Sequence, residues 1–323
     1  MSELDKRSLY RLLCMSEVSI PLFQQAWWLD ATCGEEGWDV AIVERGGEVH
    51  AAMPYVAQKR LGFTIISQPE LTQFLGPWTR DTGAKLTNNY GRQKELMYEL
   101  IDALPPYDHF QQNWPPSLTN WLPFHWKGFK QTTRYTYRLF GLDDRTQILA
   151  GFRDNIRKEI RRAEGRSGLE VCVDRSLDDF LRLNSLTFAR QGIRSRIAES
   201  YIRIVDAACV ERECRQILVA RDSKGRAHAG VYIVWGNGVA YYLMGGGDPD
   251  LRNSGATSLC LSKAIEMSAG IVSCFDFEGS MLEPVERFFR AFGAVQTPYF
   301  QVTRTPSRLI QSYIFSKGLL KRT

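Results

Sequence analysis

The apolar positions of this chain change period along its length, and each change marks an element. WDVAIVE, VHAAMPYVAQ and FTIISQ are short runs of β-branched and aromatic residues broken by Gly46-Gly47 and closed by Pro69, which predicts successive strands. Leu96, Met97, Leu100, Ile101 and Leu104 then fall at helical spacing after Gly91, until Pro105-Pro106 stops them. HWKGFKQTTRYTYRL reads as a closing strand. In FRDNIRKEIRRAEGR, Phe152, Ile156 and Ile160 recur every four positions, so they share one helix face while Arg153, Arg157 and Arg161 run beside them. LEVCV predicts a strand, Ser176 with Asp179 three residues on predicts a capped helix, and SYIRIVDAACV predicts another. CRQILVA, AHAGVYIVW and VAYYLMG form a meander joined by Asp222-Ser223-Lys224-Gly225 and by the hairpin turn Asn237-Gly238. A loop, GGDPDLRNSG, opens a helix running to Gly270. The strand VSCFDFEG, a short helix from Val285 to Phe292 and the strand TPYFQV follow. Leu309, Ile310, Tyr313 and Ile314 in the tail keep helical spacing and are expected to pack on the body.

The same order occurs twice. Aligning NNYGRQKELMYELIDALPP, HFQQNWP and WLPFHWKGFKQTTRY with RNSGATSLCLSKAIEMSAG, CFDFEGS and VERFFRAFGAVQTPYF pairs Gly91 with Gly255, Ile101 with Ile265, Phe110 with Phe275, Phe124 with Phe289, Gly128 with Gly293 and Gln131 with Gln296. Two copies of one fold are expected, divided into residues 1–142 and 143–323. The copies differ in charge: Arg252 faces Asn88, Asp276 faces Gln111 and Glu278 faces Asn113. Either surface positions have drifted, or the C-terminal copy holds the chemistry and the first is degenerate; the second reading is adopted.

Composition narrows the classes. Of 323 residues, 44% are hydrophobic and 24% charged, values that exclude a disordered chain. The apolar runs are too short for a transmembrane span and the N-terminus lacks a signal-peptide core, so a cytoplasmic protein without membrane insertion is expected. Seven cysteines form no CxxC pair, and four scattered histidines form no HExxH motif, so no metal site is expected. The net charge of +5 has a local source, since FRDNIRKEIRRAEGR alone carries six cations against three acids. The arginine row Arg153, Arg157 and Arg161 suits a phosphorylated acceptor; the other reading is a solvated face with internal pairs such as Asp154 to Lys158.

Three further features carry candidate chemistry. Arg252, Asn253, Ser254, Gly255, Ala256, Thr257 and Ser258 lead into a helix, whose first turn has unpaired N–H groups and a positive dipole end. With a glycine for close approach and Arg252 as a cation, they suit a pyrophosphate; alternatively Gly255 only relieves a tight helix entry. Alternation along VSCFDFEGS sends Asp276, Glu278 and Ser280 one way and Phe275 and Phe277 the other. A carboxylate raised in pKa by burial and a like neighbour could take a proton from an amine, with Glu278 the first candidate and Asp276 the second; capping near Pro284 or pairing with an arginine is the other role. Tyr242 could protonate a departing thiolate or simply fill the core, and Gly245-Gly246-Gly247 could let a pantetheine lie beside the strand end or serve as a turn.

Three antiparallel strands, a glycine-containing loop opening a helix, then strand, helix and strand resemble the GNAT acyltransferase fold. The loop approximates its R/Q-x-x-G-x-G/A motif, Thr257 departing from the final Gly or Ala. FDFEGSMLEPVERFFRAFGAVQTPY, with the duplication and NIRKEIRRAE, resembles the FemAB-type branch that includes BioF2-like, or CelD-like, acetyltransferases, over roughly residues 145 to 300. The resemblance implies an α/β protein of two tandem GNAT-like domains, each a mixed, mostly antiparallel sheet flanked by helices. It implies transfer from acyl-CoA, acetyl-CoA foremost, to an amine by direct attack without a metal. Aminoacyl-tRNA acting on a cell-wall precursor is the second donor class, placed behind because no long coiled-coil arm is present. A non-enzymatic binder of nucleic acid or an anionic ligand is the third reading, and the acceptor is open.

Overall fold

The computed structural model of the chain describes residues 5–174, 176–190, 192, 197–279 and 281–320, so Ser280 lies outside the described residues. The chain forms two compact units, Met1–Arg134 with Pro298–Thr323, and Tyr135–Thr297.

In the first unit α1 (Lys6–Ser16) and α2 (Ala26–Cys33) precede β1 (Asp39–Arg45), β2 (Glu48–Arg60), β3 (Phe63–Ser67) and the short β4 (Trp78–Thr79), followed by α3 (Leu86–Asp102), β5 (His109–Asn113) and α4 (Leu122–Trp126). β1, β2 and β3 pair antiparallel, β4 pairs with β2, and β3 lies parallel to β5. Leu96, Met97, Leu100 and Ile101, the stripe read from the sequence, enter a core with Phe110, Trp114 and Phe124.

β6 (Lys130–Phe140) leads into the second unit, which continues with α5 (Arg145–Gly151), α6 (Asp154–Arg161) and its π-helical extension Arg162–Arg166, β7 (Glu170–Asp174), α7 (Asp178–Arg190) and α8 (Glu199–Glu211). The meander β8 (Arg215–Arg221), β9 (Ala227–Gly236) and β10 (Val239–Gly247) comes next, then α9 (Ala256–Ser268), β11 (Cys274–Asp276) and α10 (Glu283–Arg290). β12 (Val295–Arg304) and α11 (Arg308–Leu320) end the chain. β7 to β10 pair antiparallel in sequence order and β11 joins β10 in parallel. Residues 227–234 of β9 are all buried, as in a strand covered on both faces. Val231 and Ile233 pack with Leu259, Cys260, Phe275, Phe277 and Phe289 in one core.

The expected class, mixed and mostly antiparallel sheets flanked by helices, holds, but the division after residue 142 does not match the compact units. The two copies exchange their last strands. Arg138 to Phe140 of β6, which follows the first copy's α4, pair with β11 of the second unit, while Gln301 to Arg304 of β12 pair with β5 of the first. In the repeat alignment, Asp276 opposite Arg138 corresponds to Gln111 opposite Thr303.

β11 is shorter than the strand read from VSCFDFEG, which corrects the alternation argument for Glu278. The Glu278 N–H donates to Asp276 Oδ1 at 2.8 Å and Glu278 has φ +58°, so an Asx-type turn replaces the next strand residue. At Gly279, with φ +49°, a Cβ would lie 2.3 Å from the Tyr135 carbonyl oxygen and 2.4 Å from Thr136 Cα. The tail departs as well: Leu309, Tyr313 and Ile314 of α11 are exposed rather than packed.

Gly279→Ala combines an unfavourable φ with this clash, and we expect a loss of about 1–3 kcal/mol in denaturant unfolding. An unchanged midpoint would show that the turn has room to relax.

Candidate functional site

β11 accompanies β10 only from Val239 to Tyr241, and beyond that point β10 runs on to Gly247 with no strand on that side among the described residues. The end of this open stretch borders a cleft of ≈ 240 Å³ that brings together Tyr242, Gly245, Gly246 and Gly247 with Arg252, Ser254, Ala256 and Thr257. Thr187, Arg190 and His228 complete much of its wall. Asn253, Gly255 and Ser258, predicted beside them, do not line it. Gly255 is needed by the protein itself: at φ +84° its Cβ position lies 2.3 Å from the Glu159 carbonyl oxygen, so the glycine admits α6. Ser258 Oγ donates to Glu159 Oε2 at 2.5 Å. The first turn of α9 has no side-chain cap, and Leu259 N–H is the first to reach back a turn, to Gly255 O at 3.1 Å. The amides of Ala256 and Thr257 thus precede the helix's own bonding, beside Arg252, as an anion site requires.

The two acids lie where β11 leaves β10, and neither lines that cleft. Asp276 is fully buried; Arg138 Nε donates to its Oδ2 at 2.7 Å, and Thr136 Oγ1 and the Glu278 amide donate to its Oδ1. Burial pushes its carboxyl up against the pull of Arg138, Thr136 and that amide. Glu278 is pushed well above the usual range, by burial first and then by the charge of Asp276. Two neighbouring carboxyls therefore sit in different settings: Asp276 is an anchored partner of Arg138, while Glu278 is raised by burial and by the charge beside it.

Tyr241 stands in register with Asp276, and burial pushes its phenol up. Tyr242 serves both the core and the cleft. Its ring packs edge-on against Phe289 at 5.8 Å, and its hydroxyl lies against Gly245, where a Cβ would come within 1.8 Å. Burial pushes this phenol up too, so it holds its proton. From Tyr241 to Gly247 the strand covers about 20 Å at its usual rise, so a reactant touching both acids and loop must extend along it.

Sequence reasoning missed the residues of α7 that meet this edge. Asp248 N–H donates to His228 O at 2.9 Å, which by ladder alternation turns the polar groups of Gly245 and Gly247 away from β9. Asn184 Nδ2 donates to Gly245 O at 2.8 Å, and Gly247 N–H donates to Thr187 Oγ1 at 2.9 Å. Gly246 is needed for α7 to pass, since a Cβ there would lie 2.4 Å from Asn184 N. The available signal was Asn184 and Thr187 among the inward Phe180 and Leu183 of an otherwise apolar face. His228 is 6% exposed, with Nε2 3.3 Å from Asp222 Oδ2 and no partner at Nδ1.

The arginine row divides. Arg157 and Arg161 line a second cleft, of ≈ 270 Å³, with Arg145 and Lys263. Arg153 does not, being the N-cap of α6 with its N–H given to Ala291 O at 2.9 Å. Asp154 pairs with Arg157 at 2.7 Å rather than with Lys158. Among the described residues no cluster of histidine, cysteine and carboxylate could hold a metal ion, and no helix is long and apolar enough to cross a membrane.

Residues 150–290 match the acetyltransferase (GNAT) domain family. No curated protein matches the chain. Among solved structures, FemX superposes with a TM-score of 0.70 at 14% identity, covering 97% of this chain and 99% of that one. The C-terminal domain of a putative lysylphosphatidylglycerol synthetase from Agrobacterium fabrum gives 0.54 at 14% identity over 90% and 91%. A tandem GNAT protein from the clavulanic acid biosynthesis pathway gives 0.50 at 12% identity over 93% and 94%.

The raised Glu278 carboxyl has a thermodynamic consequence. A folded-state value above the unfolded one means that the native protein holds the proton more tightly, so this contribution is present at low pH and is lost as pH rises from about 4.5 through the raised value. Glu278→Gln should therefore gain stability relative to the parent as pH rises through that window, measured by denaturant melts at several pH values. A constant difference would show that Glu278 ionises normally.

Proposed function

We propose that this chain, whose residues 150–290 match the acetyltransferase (GNAT) domain family, transfers an acyl group from acetyl-CoA, or another acyl-CoA, to an amine by direct attack, acting in the cytoplasm. The observation that carries this reading is the open edge of β10, with an uncapped helix start at one end and a carboxyl of raised pKa at the other. The donor's pyrophosphate sits on the first turn of α9 beside Arg252, with Ser254 and Thr257 against it, and its extended arm follows Tyr242 to Gly247. The amine nitrogen attacks the thioester carbonyl carbon, the C–N bond forms, and the C–S bond breaks. Glu278 takes the proton that the nitrogen loses. The leaving thiolate takes one from Tyr242, whose phenol is kept protonated by its burial. Arg157 and Arg161, with Arg153 at the entrance of the same helix, draw in an acceptor that bears a phosphate. Asp276 holds the turn that presents Glu278 and is a positioning residue.

A second reading is favoured by one observation. The outward groups of Gly245 and Gly247 are already bonded to Asn184 and Thr187, so an amide-bearing arm would have to displace α7's side chains to pair with β10. Aminoacyl-tRNA, the donor class implied by the FemAB-type resemblance, carries its acyl group on a ribose and needs no such pairing, with a cell-wall precursor as acceptor.

Thermal melting separates the donors. A ligand at about 100 times its Kd stabilises the fold by about 2.7 kcal/mol, so acetyl-CoA should raise Tm and duplex DNA should not. A rise with charged tRNA alone would favour the second reading, and nucleic-acid binding that falls steeply with salt, without transfer, would mark a binder.

With the donor identified, Glu278→Gln should lower kcat by about 10²–10⁴-fold at neutral pH without lowering Tm. Full activity in that variant would remove Glu278 from the reaction.

A further inference from the structure

Two clefts framed by α5, α6 and α9, of ≈ 270 Å³ and ≈ 120 Å³, share the side chains of Arg145, Leu149, Phe152, Ser262 and Glu266, and together make one groove with unlike ends. At one end Arg157 and Arg161 of α6 and Lys263 of α9 join Arg145. At the other, Leu142, Ile148, Ile265 and Ala269 form apolar walls, with Asp143 also in the lining.

The cationic end carries an excess of positive charge, because its four cations meet only Glu164 and Glu266 in the lining. Glu266 is shared between Arg145 at 3.1 Å and Lys263 at 3.0 Å, and Arg157 leans on Asp154 at 2.7 Å. Arg161 makes no ion pair among the described residues. A merely solvated helix face would not end in a concave apolar floor. Here the floor is built from core residues, Phe152 and Leu259, each 2% exposed, and reaches solvent through Leu149, 37% exposed. An inorganic anion would leave that half of the groove unused, and an uncharged chain would leave the cationic end to water alone.

We propose that this groove binds a phosphate ester of a single apolar chain, the phosphate between Arg161, Lys263 and Arg145 and the chain over Leu149 toward Ile148 and Ile265. The proposal deepens the reading of Arg157 and Arg161 as phosphate-attracting and rests on it only for the link to transfer, since binding is measured without a donor. An acceptor amine joined to such a carrier would be concentrated on the unit that holds the site.

The test is calorimetric titration of the full chain with monomeric dodecyl phosphate, alongside inorganic phosphate and dodecyltrimethylammonium. Dodecyl phosphate should bind and the other two should bind at least tenfold more weakly. Arg161→Ala and Lys263→Ala should each weaken it about fivefold to tenfold with Tm unchanged. Leu149→Ser should weaken it while leaving the weak phosphate signal alone. From butyl to octyl phosphate, affinity should rise by up to about threefold to fourfold per methylene. Equal binding of inorganic and dodecyl phosphate, unaltered affinity in both cation variants, or binding only to anionic vesicles would each overturn the proposal. Transfer to a small soluble amine that persists when dodecyl phosphate does not bind leaves the transferase reading standing, and binding without any transfer does the reverse.

Discussion

The second unit depends on a buried charge pair between strands that belong to different copies of the repeat. Arg138 of β6 and Asp276 of β11 face each other in register, the carboxylate fully buried and the guanidinium nearly so. Removing two charges from water costs several kcal/mol per ion, so the pair contributes little net stability and a great deal of selectivity, because either partner alone would be a buried, unmatched charge. The repeat places Gln111 and Thr303 at the equivalent positions of the first unit. If β6 and β12 each returned to the sheet of its own copy, Arg138 would meet Gln111 and Asp276 would meet Thr303. The charge difference between the copies, read at first as a sign of chemistry, thus also falls where the exchanged strands pair.

The same pair sets up the acid beside it. Asp276 spends one oxygen on Arg138 and the other on Thr136 and the Glu278 amide, and this last bond turns the chain into the left-handed conformation at Glu278. A glutamate held there feels both burial and its neighbour's charge, so its carboxyl is raised without any further device. Strand selection, the turn and the acid's proton affinity follow from one arrangement.

Much of this was legible in the sequence, and the failures have physical causes. The repeat, the meander, the basic helix and the loop opening α9 are local or periodic features, and the chain adopts them. Strand exchange is not local: the pattern of TRYTYRL says that it is a strand, not which sheet accepts it. Period-2 alternation assumes extended backbone at every step, so it could not register a positive φ at Glu278. Gly255 invited a ligand reading because close approach to backbone was correctly inferred, but the approaching group is the Glu159 carbonyl. Asn184 and Thr187 were passed over since a polar residue on an apolar helix face has no meaning until the partner strand is known.

The edge of β10 decides how a donor can be held. Pairing with a strand edge is worth having only when the edge's N–H and C=O groups otherwise face water, since a bond gained against another bond lost nets little. Gly245 O and Gly247 N–H are already satisfied by α7, whose backbone is brought close by Gly246. An extended arm would therefore draw its affinity from its ends, the anion at the α9 start and the acyl group near Glu278, and not from the length between them. Both an acyl-CoA and an aminoacyl-tRNA possess such termini, and the wall that either would meet at the cleft carries Arg190, His228 and Arg252.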